Sequence, residues 1–201
     1  MPVGQLAHRR LLAVDLGARF CGLAVRECRL AGAQAFGLLE RSAARGAPPV
    51  RGWSTFDPDA GWALQRARRF GGGARERHAT LAAALGAIVR ERRIGGLVLG
   101  MPLLANGDRT AGCAVVEGAA AALQKDWPGG PPILLWDESW STRFAVGVSR
   151  SRTPHGRHAT WTHSAAAVVV LEDVIAALRV HEARGPAGGA RDTRLADGYL
   201  A

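Results

Sequence analysis

This 201-residue chain has little lysine, little cysteine and no long apolar run. Its 26 basic residues include a single lysine, Lys125, so arginine carries nearly all of the positive charge. The three cysteines, Cys21, Cys28 and Cys113, form no CxxC pair and are too few for a disulfide framework. We therefore expect reduced thiols in an intracellular protein.

The lack of long apolar segments also disfavours a membrane protein and a secreted protein. No apolar run reaches the roughly 18 residues that a membrane-spanning helix needs. The first ten residues lack the apolar segment of a signal peptide. The sequence predicts no membrane partner. The expected location is the cytoplasm, or a chloroplast or mitochondrion if a targeting segment has been removed.

The composition instead favours a globular protein with a polyanionic partner. Hydrophobic residues make up 48% of the chain, enough for a core. The formal net charge is +9 and the pI is about 11.2. Arginine binds phosphate through two parallel hydrogen bonds, so the charge favours nucleic acid over a membrane surface.

One stretch, residues 11–17, carries the first chemical signal. Its apolar residues end in Asp15, and Gly17 follows two positions later. Four or five apolar residues between polar ones predict a short buried strand. A carboxylate at the end of such a strand is costly to bury without a cation. The alternative is a solvated aspartate that opens a hairpin turn.

The pattern along the chain predicts an α/β fold with a mixed sheet: three antiparallel strands, then parallel strands, with helices on both faces. The expected strands are residues 11–15, 20–26, 33–39, 97–100 and 133–136, and the expected helices are 78–92, 110–126 and 163–182. We expect one domain over residues 1–182. The Gly-, Ala- and Arg-rich residues 183–201 predict a mobile tail.

Residues 41–77 interrupt this alternation with proline, glycine and arginine. We interpret them as an irregular basic insertion with one short helix around residues 60–70. Trp53, Phe56 and Trp62 are interspersed with the arginines. They suit either stacking on nucleic-acid bases or anchoring of the loop to the domain.

Four motifs in order resemble the YqgF/RuvX family. They are LLAVDLGARFCGLAV from Leu11, LVLGMPLLANG from Leu97, ILLWDESWST from Ile133 and the alanine-rich last helix. The resemblance covers about residues 10–180, with 41–77 unmatched. Members of this family are RNase H-like proteins described as Holliday-junction resolvases and pre-16S ribosomal RNA nucleases.

The resemblance implies a metal-dependent nuclease that uses Mg²⁺ or Mn²⁺. The family's first catalytic aspartate corresponds to Asp15, and its second acid to Glu138, with Asp137 as the fallback metal ligand. Only one of these two neighbours can face the site, because side chains alternate along a strand. Two positions depart from the family pattern: Ser139 replaces an arginine, and His163 replaces the third acid.

His163 leaves several interpretations open. At the start of a helix running over 163–182, a neutral imidazole is favoured. It would be a catalytic metal ligand that suits Mn²⁺ better than Mg²⁺, or a sign that catalysis has been lost. His155, His158 and His163 could also form a zinc cluster, although no cysteine accompanies them.

The expected partner is nucleic acid, either structured RNA or branched DNA. Candidate phosphate-binding side chains are Arg19, Arg66, Arg68, Arg69 and Arg143. Two functions remain: an active nuclease, which would process the 5′ end of pre-16S rRNA or resolve branched DNA, and a catalytically degenerate protein that binds nucleic acid or a ribonucleoprotein. Phosphotransfer on an actin-like fold is disfavoured, because no second lobe is available to close over ATP.

Overall fold

In a computed structural model, residues 3–42, 60–66, 76–139 and 158–184 are described. They form one mixed sheet of seven strands in the order β5-β4-β3-β2-β1-β6-β7. The strands are β1 (Leu11–Leu16), β2 (Phe20–Arg26), β3 (Gln34–Arg41), β4 (Trp62–Arg66), β5 (Glu76–His78), β6 (Gly96–Met101) and β7 (Ile133–Asp137). A 3₁₀ helix, Val3–His8, precedes them.

Each strand from β1 to β4 pairs antiparallel with the next one along the chain. β6 pairs in parallel with β1 and with β7. Apolar residues that run the full length of β1 and β6 predict such a doubly covered parallel segment. The predicted three antiparallel strands followed by parallel strands are confirmed, and this is the RNase H-like arrangement.

The basic insertion contributes strands where we predicted an irregular loop with a helix. The helix expected around residues 60–70 is wrong: β4 pairs with β3, and β5 pairs with β4. Trp62 is 2% exposed and Leu64 is fully buried, so burial against the sheet decides the local conformation. Trp62 therefore anchors the segment and is not available for base stacking. Trp53 and Phe56 lie outside the described residues.

Helices α1 (Leu81–Arg92) and α2 (Ala111–Asp126) cover one face of the sheet. Thr80 caps α1 by accepting a hydrogen bond from the Ala83 amide, and Thr110 caps α2 through the Gly112 amide. The apolar side chains of both helices pack on alternate residues of β1, among them Leu12 and Val14. These bounds agree with the expected helices to within three residues.

Helix α3 (His158–Arg184) covers the opposite face and packs on the other set of alternate residues, including Leu11, Ala13 and Trp136. It begins five residues earlier than predicted, so His163 lies in its second turn and not at its N-terminus. The helix dipole acts mainly in the first turn, so the dipole argument for a neutral His163 was wrong. Among the described residues, no helix is long and apolar enough to span a membrane.

Candidate active site at the end of the central strands

Asp15 lies near the C-terminal end of β1 and points toward the α3 face. Strand alternation places it on the same side as Leu11 and Ala13, which pack against α3. Its side chain is 13% exposed. The neighbouring position on β2 is Gly22, which pairs directly with Asp15. A carboxylate is thus held at the end of the central strand, where ligands collect in open α/β sheets.

Glu138 reaches the same face from β7. It follows the end of the strand, and its amide donates to the Met101 carbonyl oxygen at 3.0 Å. Its carboxyl group lies over Gly100 of β6, so closely that a Cβ atom on Gly100 would overlap Glu138 Oε2. β6 separates β1 from β7, and the missing Gly100 side chain leaves room for Glu138 beside Asp15.

The negative charge of Asp15 affects the protonation of Glu138. Burial, then the negative charge of Asp15, and then that of Asp137 raise the pKa of Glu138 to about 8. In the absence of a cation, Glu138 therefore holds a proton at neutral pH. The proton relieves a concentration of negative charge that a metal ion would also relieve.

His163 contacts Asp15 from the α3 side. Nδ1 of the imidazole lies 2.9 Å from Oδ2 of Asp15. With the carboxylate ionised, Nδ1–H donates to Asp15, and in a neutral ring Nε2 is the acceptor. This approach depends on Gly22, because a Cβ atom there would overlap the backbone between His163 and Ser164.

Asp137 points away from these three residues. Because side chains alternate along β7, Asp137 lies on the same face as Ile133 and Leu135, which pack under α1 and α2. Oδ1 of Asp137 accepts hydrogen bonds from the Ser139 amide at 2.8 Å and from the Ser139 hydroxyl. The structure therefore brings together Asp15, Glu138 and His163, but not Asp137, the fallback metal ligand. Ser139 thereby stabilises the turn that follows β7.

The candidate nucleic-acid residues are only partly described. Arg19 is 71% exposed at the β1–β2 turn, where it pairs with Glu40 at 3.1 Å and lies 5.0 Å from the centre of the Phe20 ring. Arg66 ends β4. Arg68, Arg69 and Arg143 lie outside the described residues, as do His155 and the tail from residue 185; the mobile-tail assignment remains a prediction.

The described residues contain no group of three or more His, Cys, Asp or Glu side chains placed to hold a metal ion. Asp15 and Glu138 nonetheless fit a hard cation, because Mg²⁺ is commonly held by one or two carboxylates together with water and substrate phosphates. The nitrogen of His163 nearest the site is already hydrogen-bonded to Asp15.

Sequence reasoning missed Gly22 and Gly100. Both lie beside Asp15 on the neighbouring strands, and both make room for another site residue. The available signal was a glycine inside each of two otherwise apolar strands, which often marks a close approach of another group.

The strand order, together with helices on both faces of the sheet, defines an RNase H-like domain. Residues 65–177 match the family model RuvX, described as Holliday junction resolvase. The match includes β5, so residues 65–77 belong to the family domain and not to an unmatched insertion. With more than half of its length matched, the chain belongs to the RuvX (YqgF) family.

Curated relatives are also similar to this chain. A "Putative pre-16S rRNA nuclease" of Roseobacter denitrificans is 35% identical over 49% of this chain and 61% of its own length. The protein of the same name from Sphingopyxis alaskensis is 33% identical over 60% of this chain and 76% of its own. The chain thus spans about three-fifths of the first relative.

A solved structure shows a more distant similarity. T. thermophilus RuvC in complex with Holliday junction substrate is 13% identical, with a TM-score of 0.40, over 86% of this chain and 95% of that one.

Proposed function

We propose that this protein is a metal-dependent nuclease of the RuvX type that hydrolyses phosphodiester bonds. The observation that carries the proposal is the placement of Asp15 and Glu138 on one face, with Gly100 between them. Two carboxylates that lie close together on one face favour binding of a divalent cation. The positive net charge of the chain favours the phosphate backbone as substrate.

In this proposal Asp15 and Glu138 hold Mg²⁺ or Mn²⁺. The bound ion would supply charge neutralisation at the phosphate and acidify a water molecule. Glu138 must release its proton before it can bind the ion. His163 orients Asp15 through Nδ1, and its Nε2 is available as a ligand or as a proton acceptor. Arg19, Arg66, Arg68, Arg69 and Arg143 are the candidate phosphate contacts.

The preferred substrate is structured RNA, specifically the 5′ end of pre-16S rRNA. The names of the curated relatives support this choice, whereas the family description supports branched DNA. A four-way DNA junction is therefore the competing substrate. Residues 1–182 remain the proposed domain.

A catalytically degenerate binding protein is the second candidate. Two observations favour it: His163 stands where the family resemblance implies an acid, and the described residues form no three-ligand metal cluster. Such a protein would bind the same nucleic acids through the same surface without cleaving them.

Cleavage of a precursor rRNA and of a four-way DNA junction, each with Mg²⁺ and with Mn²⁺, tests the proposal. We expect metal-dependent cleavage of the RNA and its loss in Asp15→Asn and Glu138→Gln. Asp137→Asn is the matched control, because this carboxylate is adjacent in sequence but faces away. Tight binding without cleavage under every condition would establish the degenerate binder.

A further inference from the structure

We propose that the end of the sheet opposite the acidic site is a second phosphate-binding surface, which holds the nucleic acid beyond the point of cleavage. The inference rests on the proposed function and adds where the substrate extends. We call this surface the distal arginine patch. It comprises the exposed or half-buried side chains of Arg9, Arg10, Arg29, Arg90, Arg92, Arg93 and Arg179, with the buried Arg26 beneath them.

The topology brings these arginines together. The N-terminal ends of β1 and β6, the end of α1 and the turn after β2 all meet at this edge. Arg9 donates to the Gly95 carbonyl oxygen at 3.3 Å, and Arg10 to that of Arg92 at 2.9 Å. Arg179 of α3 lies close enough to Arg26 for their charges to interact, so α3 also contributes to the patch.

Positive charge exceeds negative charge in the patch. Besides its eight arginines, this end of the sheet contains four glutamates: Glu27, Glu91, Glu172 and Glu182. The excess is nearly half of the net charge of +9. Within the described ranges, Arg9, Arg93 and Arg179 are exposed and have no carboxylate within 4.0 Å. An uncompensated, exposed guanidinium is suited to a phosphate.

Backbone contacts fix the patch before any ligand binds. Arg10 is bonded to two carbonyl oxygens, those of Glu27 and Arg92. Buried Arg26 is bonded to the carbonyl oxygens of Leu6, Ala7 and Arg9. Little backbone entropy is therefore lost there when a polyanion binds.

The distance between the distal arginine patch and the acidic site sets the length of duplex that can reach both. Arg10 and Asp15 lie five residues apart on or next to β1, which corresponds to roughly 17 Å at the rise of a strand. At the B-DNA rise of about 3.4 Å per base pair, a duplex must extend about five base pairs past the scissile phosphate to reach the patch, and slightly more as A-form RNA, whose rise is shorter. Longer arms should therefore bind more tightly until they cover the patch.

The test compares binding of RNA duplexes with arms of four and twelve base pairs. All proteins carry Asp15→Asn so that no probe is cut, and patch variants add Arg9→Gln and Arg93→Gln. We expect the patch variant to bind the long probe roughly fivefold more weakly and to lower the salt slope by about 1.8. The short probe should bind equally to both proteins.

Two further variants control for charge and fold. Arg9→Lys with Arg93→Lys keeps the charge and should retain most of the affinity, whereas Glu91→Gln should tighten binding of the long probe. Unchanged long-probe affinity and salt slope in the Gln variant would overturn the patch, as would an absence of RNA binding by the parent protein. Cleavage, measured separately with Asp15 intact, decides the proposed function independently.

Discussion

Nδ1 of His163 lies 2.9 Å from Oδ2 of Asp15, a contact between residues 148 positions apart in the sequence. The contact joins the second turn of α3 to the end of β1, across the position of Gly22. The side chain at the position where the resemblance implies an acid is thus hydrogen-bonded to Asp15.

Gly100→Ala should damage the site more than the fold. The new Cβ atom would overlap Glu138 Oε2 and displace the carboxylate from Asp15. We expect a loss of about 1–3 kcal/mol in stability from overpacking and at least a tenfold loss of cleavage from misplacement. Gly61→Ala is the control, since its nearest neighbour would be an ordinary 3.6 Å contact. Equal cleavage by both variants would contradict the geometry.

Arg26→Met should destabilise the protein without a direct effect on the acidic site. Arg26 is 2% exposed and donates to three carbonyl oxygens at 2.7–2.9 Å, two of them within the 3₁₀ helix. Loss of these bonds leaves buried acceptors unsatisfied, so we expect a cost of about 2–4 kcal/mol in urea unfolding. Arg29→Gln, at an exposed neighbour, should change stability by less than about 1 kcal/mol. Similar midpoints for both variants would refute the structural role of Arg26.

The raised pKa of Glu138 predicts an unusual pH dependence of stability. Because the native state keeps this proton up to about pH 8 while the unfolded chain loses it near its ordinary value of 4.5, the native state binds more protons between these values. The contribution of Glu138 to stability is therefore fully present below about pH 4.5 and is lost as pH rises through 8.

Glu138→Gln should remove that dependence. At pH 8 and above the variant should exceed the wild type in stability, by an amount on the order of a few kcal/mol at most. Thermal unfolding from pH 5 to 9 measures the effect. Glu117→Gln, which alters an exposed carboxylate paired with Arg109, should follow the wild-type curve. Parallel curves for Glu138→Gln and the wild type would show that Glu138 is ionised in the native state.

The sequence predicted the sheet core and the helices well, because they depend on local periodicity. Two elements escaped prediction for physical reasons. β4 becomes a strand through pairing with β3, which no local pattern in residues 60–66 shows. The start of α3 lies in a polar, histidine-rich stretch without apolar periodicity, so the prediction began at His163 and not His158.

The acids of the site were predictable from strand ends, but their mutual arrangement was not. Strand alternation permits either Asp137 or Glu138 to face Asp15, and only the resemblance favoured Glu138. The deciding feature is Gly100, which lies 38 residues before Glu138 and acts through the sheet. The sequence shows the glycine, but it does not show which side chain occupies the space beside it.

His163→Asp tests whether the site retains the capacity to use Mg²⁺. A carboxylate at this position would face Asp15 in place of the imidazole, so negative charge would accumulate. Without metal we expect a lower Tm than that of the wild type. Added Mg²⁺ should raise the Tm of His163→Asp more than that of the wild type, because the third carboxylate favours a hard cation. Mg²⁺-dependent cleavage should increase as well.

The matched variant His163→Asn has nearly the same shape as His163→Asp without the charge. It should show neither the lower Tm without metal nor the larger response to Mg²⁺. The wild type should respond better to Mn²⁺ than to Mg²⁺, since Mn²⁺ accepts nitrogen ligands more readily. If His163→Asp and His163→Asn respond alike to Mg²⁺, charge at this position does not control metal binding. If His163→Asp and the wild type bind RNA but leave it intact with both ions, the protein is a degenerate binder.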